Sequence, residues 1–256
     1  MNEIYYYFLL FLIYSFIGWL IEVIGKLIEK HKFINRGFLI GPICPIYGHG
    51  CLLMILTLSR YKDNPLTLFI YAIFICSLLE YFTSYFMEKI FKARWWDYSQ
   101  RKFNINGRIC LGTIIPFGLL GLFIMYVSNP FLIEKLKLLP ELWLNIIFWT
   151  ILTMYVVDNI VSGVVVRSIK TADMSASKET DNTEEITKKV KEILQAKSIL
   201  HRRLINAYPK LQAVKIKIKD QTEKIKKQKE EIEAQIEDKK REIIQKVNEN
   251  VNKKSK

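Results

Sequence analysis

Five runs of apolar residues, at about 4–25, 38–59, 66–88, 109–128 and 142–166, fill the first two-thirds of the chain. Each approaches the roughly 20 helical residues that cross a hydrocarbon core of about 30 Å. In the first four, apolar side chains fall all round the helix, whereas a helix lying on a soluble core would keep one polar face. The pattern predicts an all-α fold, a polytopic membrane helix bundle of about five transmembrane helices with the lipid bilayer as its first partner. A soluble multi-helix core is the reading it disfavours. The opening MNEIYYYFLL has no positive n-region and no small-residue cleavage site, so it reads as a retained first span.

Charge divides the chain. Residues 167–256 hold 24 Lys and Arg against 15 Asp and Glu, which is +9 of the chain's net +13. Three regions are expected: a transmembrane domain over 1–170, a polar linker over 171–183 (TADMSASKETDNT) and a cytoplasmic tail over 184–256. In the tail, Val190, Lys197, Leu204, Leu211, Ile218, Ile225 and Ile232 recur every seven residues. Ile193, Leu200, Ala207 and Val214 take the matching second positions. Such a heptad seam predicts a C-terminal coiled coil. Gln221, Gln228 and Gln235 weaken the seam towards the end, and Pro209 removes a backbone donor. The tail is therefore either one long bent helix that pairs with a partner or two helices folded on each other. Its lysines lack interleaved aromatics, so a solvated face is expected and nucleic acid is not.

Orientation follows from the basic residues in short loops. Lys26, Lys30, Lys32, Arg36, Lys89, Lys92, Arg94, Arg101, Lys102, Arg108, Arg167 and Lys170 fall on one side of the expected bundle. Only Arg60, Lys62, Lys135 and Lys137 fall on the other. The imbalance predicts an N-terminus outside and a cytoplasmic tail.

The four cysteines, Cys44, Cys51, Cys76 and Cys110, lie in or at the edges of apolar runs, where packing is the expected role rather than a disulfide framework. Cys44, His49 and Cys51 match no metal-ligand spacing, and neither a metal nor a cofactor is expected. No Ser/His or metal constellation supports an enzyme. An intramembrane acid–base reaction on Glu80, Glu88 or Asp158 is the residual alternative.

Two stretches echo each other: KFINRGFLIGPICPIYG at 32–48 and KFNINGRICLGTIIPFG at 102–118. Asn35 is followed at equal spacing by Gly41 and Pro45, as Asn106 is by Gly112 and Pro116, and Gly48 and Gly118 come soon after. Upstream, Glu22 and Lys26 match Glu88 and Lys92. The membrane part therefore reads as two copies of one helical hairpin, in the same orientation because an even number of crossings separates them. Asn35, Arg36, Gly37, Gly41, Pro42, Pro45, Tyr47 and Gly48, with Asn106, Gly107 and Arg108, form the candidate motif. Pro42 and Pro45 free backbone carbonyls, which are tolerated at membrane depth only against protein or water, so an irregular interior span is expected there.

Charges within a span cost about 2.5–3.5 kcal/mol each on insertion scales and face a protein interior or a wet cavity. Ser77, Glu80, Ser84, Glu88 and Lys92 make one polar stripe on the third run, and Ser15, Gly18, Glu22 and Lys26 make one on the first. Asp158, Asn159 and Ser162 add a patch to the last. Glu22, Glu80, Glu88 and Asp158 are the candidate polar pathway. Glu80 lies too deep to snorkel, and it is expected either to pair with Arg36 or Arg108 or to sit on a substrate or proton path. Trp95, Trp96, Asp97 and Tyr98 lie among Arg94, Arg101, Lys102 and Arg108, a composition that suits an interfacial belt or a docking surface for a cytoplasmic partner.

YSFIGWLIEV, NRGFLIGPICPIYG, LEYFTSYFMEKIF, RWWDYS and FNINGRICL together resemble the ABC-transporter type IV, or CmpB-like, family of bacterial integral membrane proteins, over about residues 8–166. The resemblance implies a small multi-pass permease subunit in the bacterial cell membrane. The sequence has no G-x-x-x-x-G-K-[ST] phosphate loop, so an ATPase would be a separate subunit. Few spans for a pathway imply a homo-oligomer. The alternative is a membrane scaffold or sensor that presents its coiled coil to a partner.

Overall fold

The computed structural model describes residues 2–177, 180 and 182–213. Four helical stretches are long and apolar enough to cross a membrane, at Glu3–Lys30, Pro65–Phe91, Leu111–Lys137 and Glu141–Ala176. The first lies in helix α1 (Asn2–Lys30). The second is α3 (Pro65–Phe91), which starts on an Asn64 side chain that accepts from the Thr67 N–H and ends at Lys92, in the left-handed region at φ 57°.

The third stretch is composite. Helix α4 (Leu111–Phe123) widens into a π-helical segment at Ile124–Ser128 before α5 (Asn129–Lys137). Pro130 lacks the N–H that a regular helix would direct at Tyr126, and a wider turn absorbs the missing bond.

The expected span at 38–59 is the one that departs from a long helix. Residues 38–44 are non-helical, and α2 is only Pro45–Leu58, 14 residues. At 1.5 Å per residue it is about 21 Å long, short of a bilayer core. Pro45 explains the start, because a proline is tolerated in the first turn and excluded from the interior. The irregular start expected from Pro42 and Pro45 is thus present, as a broken segment.

Helices α1 and α2 pack antiparallel through small residues. A Cβ on Gly48 would lie 2.2 Å from Ser15 Oγ and 2.4 Å from the Phe11 carbonyl, and one on Gly18 would lie 2.2 Å from the Tyr47 ring. Helices α3 and α4 form the second hairpin, with Gly121 pressed on Ala72 at its far end and Arg108 bonded to Ser84 at its near end. One apolar core, including Leu10, Met54, Leu68, Ala72 and Met125, joins these hairpins with α6 (Glu141–Ala176).

A second core lies at the end of the bundle where the Arg36 and Arg108 loops gather. Helix α6 continues to Ala176, so the expected linker begins inside a helix. Helices α7 (Thr183–Lys197) and α8 (Ile199–Ala207) follow. The chain breaks between them at Ser198, in extended conformation, and not first at Pro209. Val190, Leu194, Leu204 and Leu211 are buried against Val165, Val166, Ile169 and Ala172 of α6. Over this part the apolar stripe is covered by the chain itself. The later heptad positions, from Val214 through Ile232 and the three glutamines, lie outside the described residues. Beyond the turn at Pro209, β4 (Gln212–Ala213) pairs antiparallel with β1 (Ala93–Arg94), and β2 (Asn104–Ile105) with β3 (Ile109–Cys110).

Candidate functional site

Between the two hairpins lies a cavity of about 160 Å³. Helical spacing builds its walls. Tyr47, Gly50 and Met54 come from one face of α2, Cys76, Leu79 and Glu80 from one face of α3, and Phe117 and Leu120 from α4. Trp96 and Tyr98 of the 92–110 loop close one side, and Glu22 and Arg36 reach it from α1 and its following loop. Gly50 leaves the room: a Cβ there would touch Leu79 at 3.4 Å.

Two carboxylates meet the cavity in different states. Glu22 is fully answered, with Arg36 Nε at 3.2 Å and the Tyr47 hydroxyl donating at 2.9 Å. Glu80 is 9% exposed and accepts from the Tyr98 hydroxyl, at 3.3 Å to Oε1, with Thr113 close by, while Oε2 is buried without a well-formed hydrogen bond among the described residues. The sequence suggested Arg36 or Arg108 as its partner. The structure gives Arg36 to Glu22, and Arg108 to Glu88 at 3.0 Å and Ser84 at 3.1 Å. The reason is depth, since both loops enter at the end of the bundle and the nearest carboxylate takes each guanidinium. Tyr98 itself is held as a neutral phenol, because burial and the adjacent Glu80 raise its pKa.

The other sequence candidates are placed as follows. Asn35 accepts from the Trp19 indole at 2.7 Å and donates to the Ile40 carbonyl at 2.8 Å, which folds the loop back on α1. Gly37 has φ 127° and Gly107 φ 66°, conformations that a side chain disfavours. Asn106, at φ 53°, donates to the Tyr81 hydroxyl. Pro42 is exposed on the bundle's flank.

Asp158 does not reach the cavity. Its oxygens accept from the Ile40 and Gly41 N–H groups, each at 2.9 Å, and from Ser162. It caps the broken segment, whose donors have no helical partner. Glu88 also serves the loop, bonding Arg94 and Arg108. The four-carboxylate pathway thus resolves into two residues at the cavity, Glu22 and Glu80, and two that anchor loops.

The aromatic loop is folded inward. Trp95 is 3% exposed and packs edge-on against Tyr208, with ring centroids 4.7 Å apart, so protein and not lipid headgroups covers it. Trp96 donates to the Arg108 carbonyl at 3.0 Å. At Asp97, burial acts upward but is outweighed by the Ser99 hydroxyl and N–H, with Arg94 and Lys210, and the carboxyl is held below its usual range. The interfacial expectation counted aromatics and cations and had no means of knowing that Tyr208, just past α8, would cover Trp95.

Tail residues complete this end, and no motif or spacing marks them. Arg203 donates to the Gly37 and Phe38 carbonyls, at 3.4 and 3.2 Å. Arg36 bonds the Ala207 carbonyl and lies 4.9 Å from the Tyr208 ring centroid.

The paired devices support a repeated hairpin. Each copy has a helix glutamate bound to a loop arginine, Glu22 to Arg36 and Glu88 to Arg108, beside a glycine at positive φ. A family model described as Putative ABC-transporter type IV matches residues 9–163. No curated protein and no solved structure matches the chain.

Proposed function

Because the chain belongs to the family described as Putative ABC-transporter type IV, we propose that it is a multi-pass permease subunit served by an ATPase on a separate polypeptide. The observation that carries this reading is the cavity between the hairpins, with the partly unpartnered Glu80 carboxylate in its wall. A carboxylate at membrane depth is costly to bury, and residues of this kind mark substrate or ion pathways. The short helix α2 contributes Tyr47, Gly50 and Met54 to the same cavity, and the non-helical stretch before it, 38–44, is covered by protein through the bonds of Ile40 and Gly41 to Asp158. The sequence holds no Walker-type phosphate loop, which supports an ATPase on a separate polypeptide.

In this reading segment 38–58 completes a fifth crossing, the N-terminus is outside, and the end bearing Arg36, Arg94, Arg108 and the tail is cytoplasmic. The distribution of basic loop residues supports that orientation. A homodimer supplies the rest of the pathway.

Purification of the full chain in mild detergent is expected to bring down an ATPase. Reconstitution of the complex should give ATP-dependent transport that Glu80→Gln abolishes. A stable complex with no ATPase would sink the permease reading. The scaffold reading has one observation in its favour, the β1–β4 pairing that ties the tail to the aromatic loop. Deleting residues 214–256, which leaves the part of the tail packed on α6 in place, separates the two, since a scaffold that presents its coiled coil loses its activity and a permease keeps turnover.

A further inference from the structure

We infer that the cavity between the hairpins binds a small organic monocation, an ammonium group on a compact apolar or aromatic body, with Glu80 Oε2 as its counter-charge. This names a substrate class for the site on which the permease reading rests. Charge is the first argument. Glu22 and Arg36 neutralise each other at 3.2 Å, while Glu80 has the Tyr98 phenol on one oxygen and no cation on either, so the lining holds one carboxyl group that no positive charge among the described residues answers. An anionic ligand would be repelled by that carboxylate, and a neutral donor would pair the oxygen without supplying the opposite charge that a cation brings.

Size is the second argument. About 160 Å³ is close to the roughly 150 Å³ of an apolar cavity known to hold benzene. That excludes a peptide or a nucleotide and fits a single ring or a short branched chain.

Wall chemistry is the third. Tyr47, Trp96, Tyr98 and Phe117 bring aromatic rings to one small space, and aromatic faces attract organic cations, most strongly when desolvated. A bare divalent ion is a poor fit, since it needs six or more oxygen ligands. The free oxygens here are few, because Glu22 and Tyr47 are bonded to each other.

The test uses the purified full chain in detergent with benzylammonium and with benzyl alcohol, a neutral probe of the same heavy-atom count, read by calorimetry and thermal shift. Benzylammonium is expected to bind about tenfold or more tightly than the alcohol. Glu80→Gln should remove that preference. Tyr98→Phe keeps the carboxylate and should keep the preference, which guards against a Gln variant that fails to fold. Gly50→Ala narrows the cavity and should weaken both probes. Equal binding of the two probes, no binding of either, or a preference that survives Glu80→Gln would overturn the inference.

The outcome is separable from the transport reading. Cation binding to a chain that recruits no ATPase would leave the site standing and the permease reading refuted. ATP-dependent transport of another substrate class without cation binding would do the reverse.

Discussion

Replacing Asp158 should release the broken segment of the membrane part. Its carboxylate accepts the Ile40 and Gly41 N–H groups, both at 2.9 Å, and the Ser162 hydroxyl at 2.9 Å. A hydrogen bond to a charged group contributes about 1.5–3 kcal/mol, and a buried donor left bare costs a similar amount. In Asp158→Ala the Gly41 N–H loses its acceptor while the Ile40 N–H keeps the Ser162 hydroxyl, so the expected loss is about 1.5–3 kcal/mol. Asp158→Asn keeps one acceptor oxygen and turns an amide donor towards the other N–H, which places it near half that loss. Ser162→Ala is the control: it removes a hydroxyl 3.1 Å from the Ile40 N–H while Asp158 still serves that donor, at about 1 kcal/mol. Unfolding in mixed detergent micelles gives the three values. Maleimide labelling with Cys44 as the sole cysteine reports the local event, because Cys44 is buried at the end of the same segment and should become reactive in Asp158→Ala. If Asp158→Ala is no less stable than Ser162→Ala and Cys44 stays protected, Asp158 does not cap the segment.

Gly48→Ala should cost about 1–3 kcal/mol, because its Cβ would lie 2.4 Å from the Phe11 carbonyl and the α1–α2 hairpin must open. Gly163→Ala meets nothing within 4 Å and should stabilise α6 by up to about 1 kcal/mol, so equal unfolding midpoints would refute the close-packing account. Trp95→Ala should cost about 3–5 kcal/mol and expose α7–α8 to protease, while an unchanged digestion pattern would mean the tail does not rest on this residue. Burial and the nearby Lys197 lower the pKa of His201. Its folded state therefore disfavours the proton that the unfolded chain takes up, and stability should fall as pH drops through about 6.5. His201→Gln should flatten that dependence, measured as the unfolding midpoint against pH.

Much of the architecture was legible because membrane helices announce themselves by continuous apolar length, a one-dimensional property. Four of the five expected runs are long helices, and the prolines at 42 and 45 marked the fifth as irregular because proline acts on its own backbone. The repeated hairpin was visible in Asn35 and Asn106, and its Glu–Arg pairs were present in the sequence as unpaired letters. Glu80 stood out because a deep carboxylate is rare on composition alone.

Partnership was not legible. Nothing in the sequence distinguishes Asp158, which caps a loop, from Glu80, which no cation answers among the described residues. The difference is made by residues 118 and 18 positions away, at Ile40 and Tyr98. The heptad at Val190 and Leu204 specified an apolar stripe but not what would cover it, and α6 covers it here. Periodicity fixes which face of a helix is buried, since that depends on local geometry. Which surface buries it, and which charge answers which, depends on distances set only when the hairpins and the start of the tail pack together.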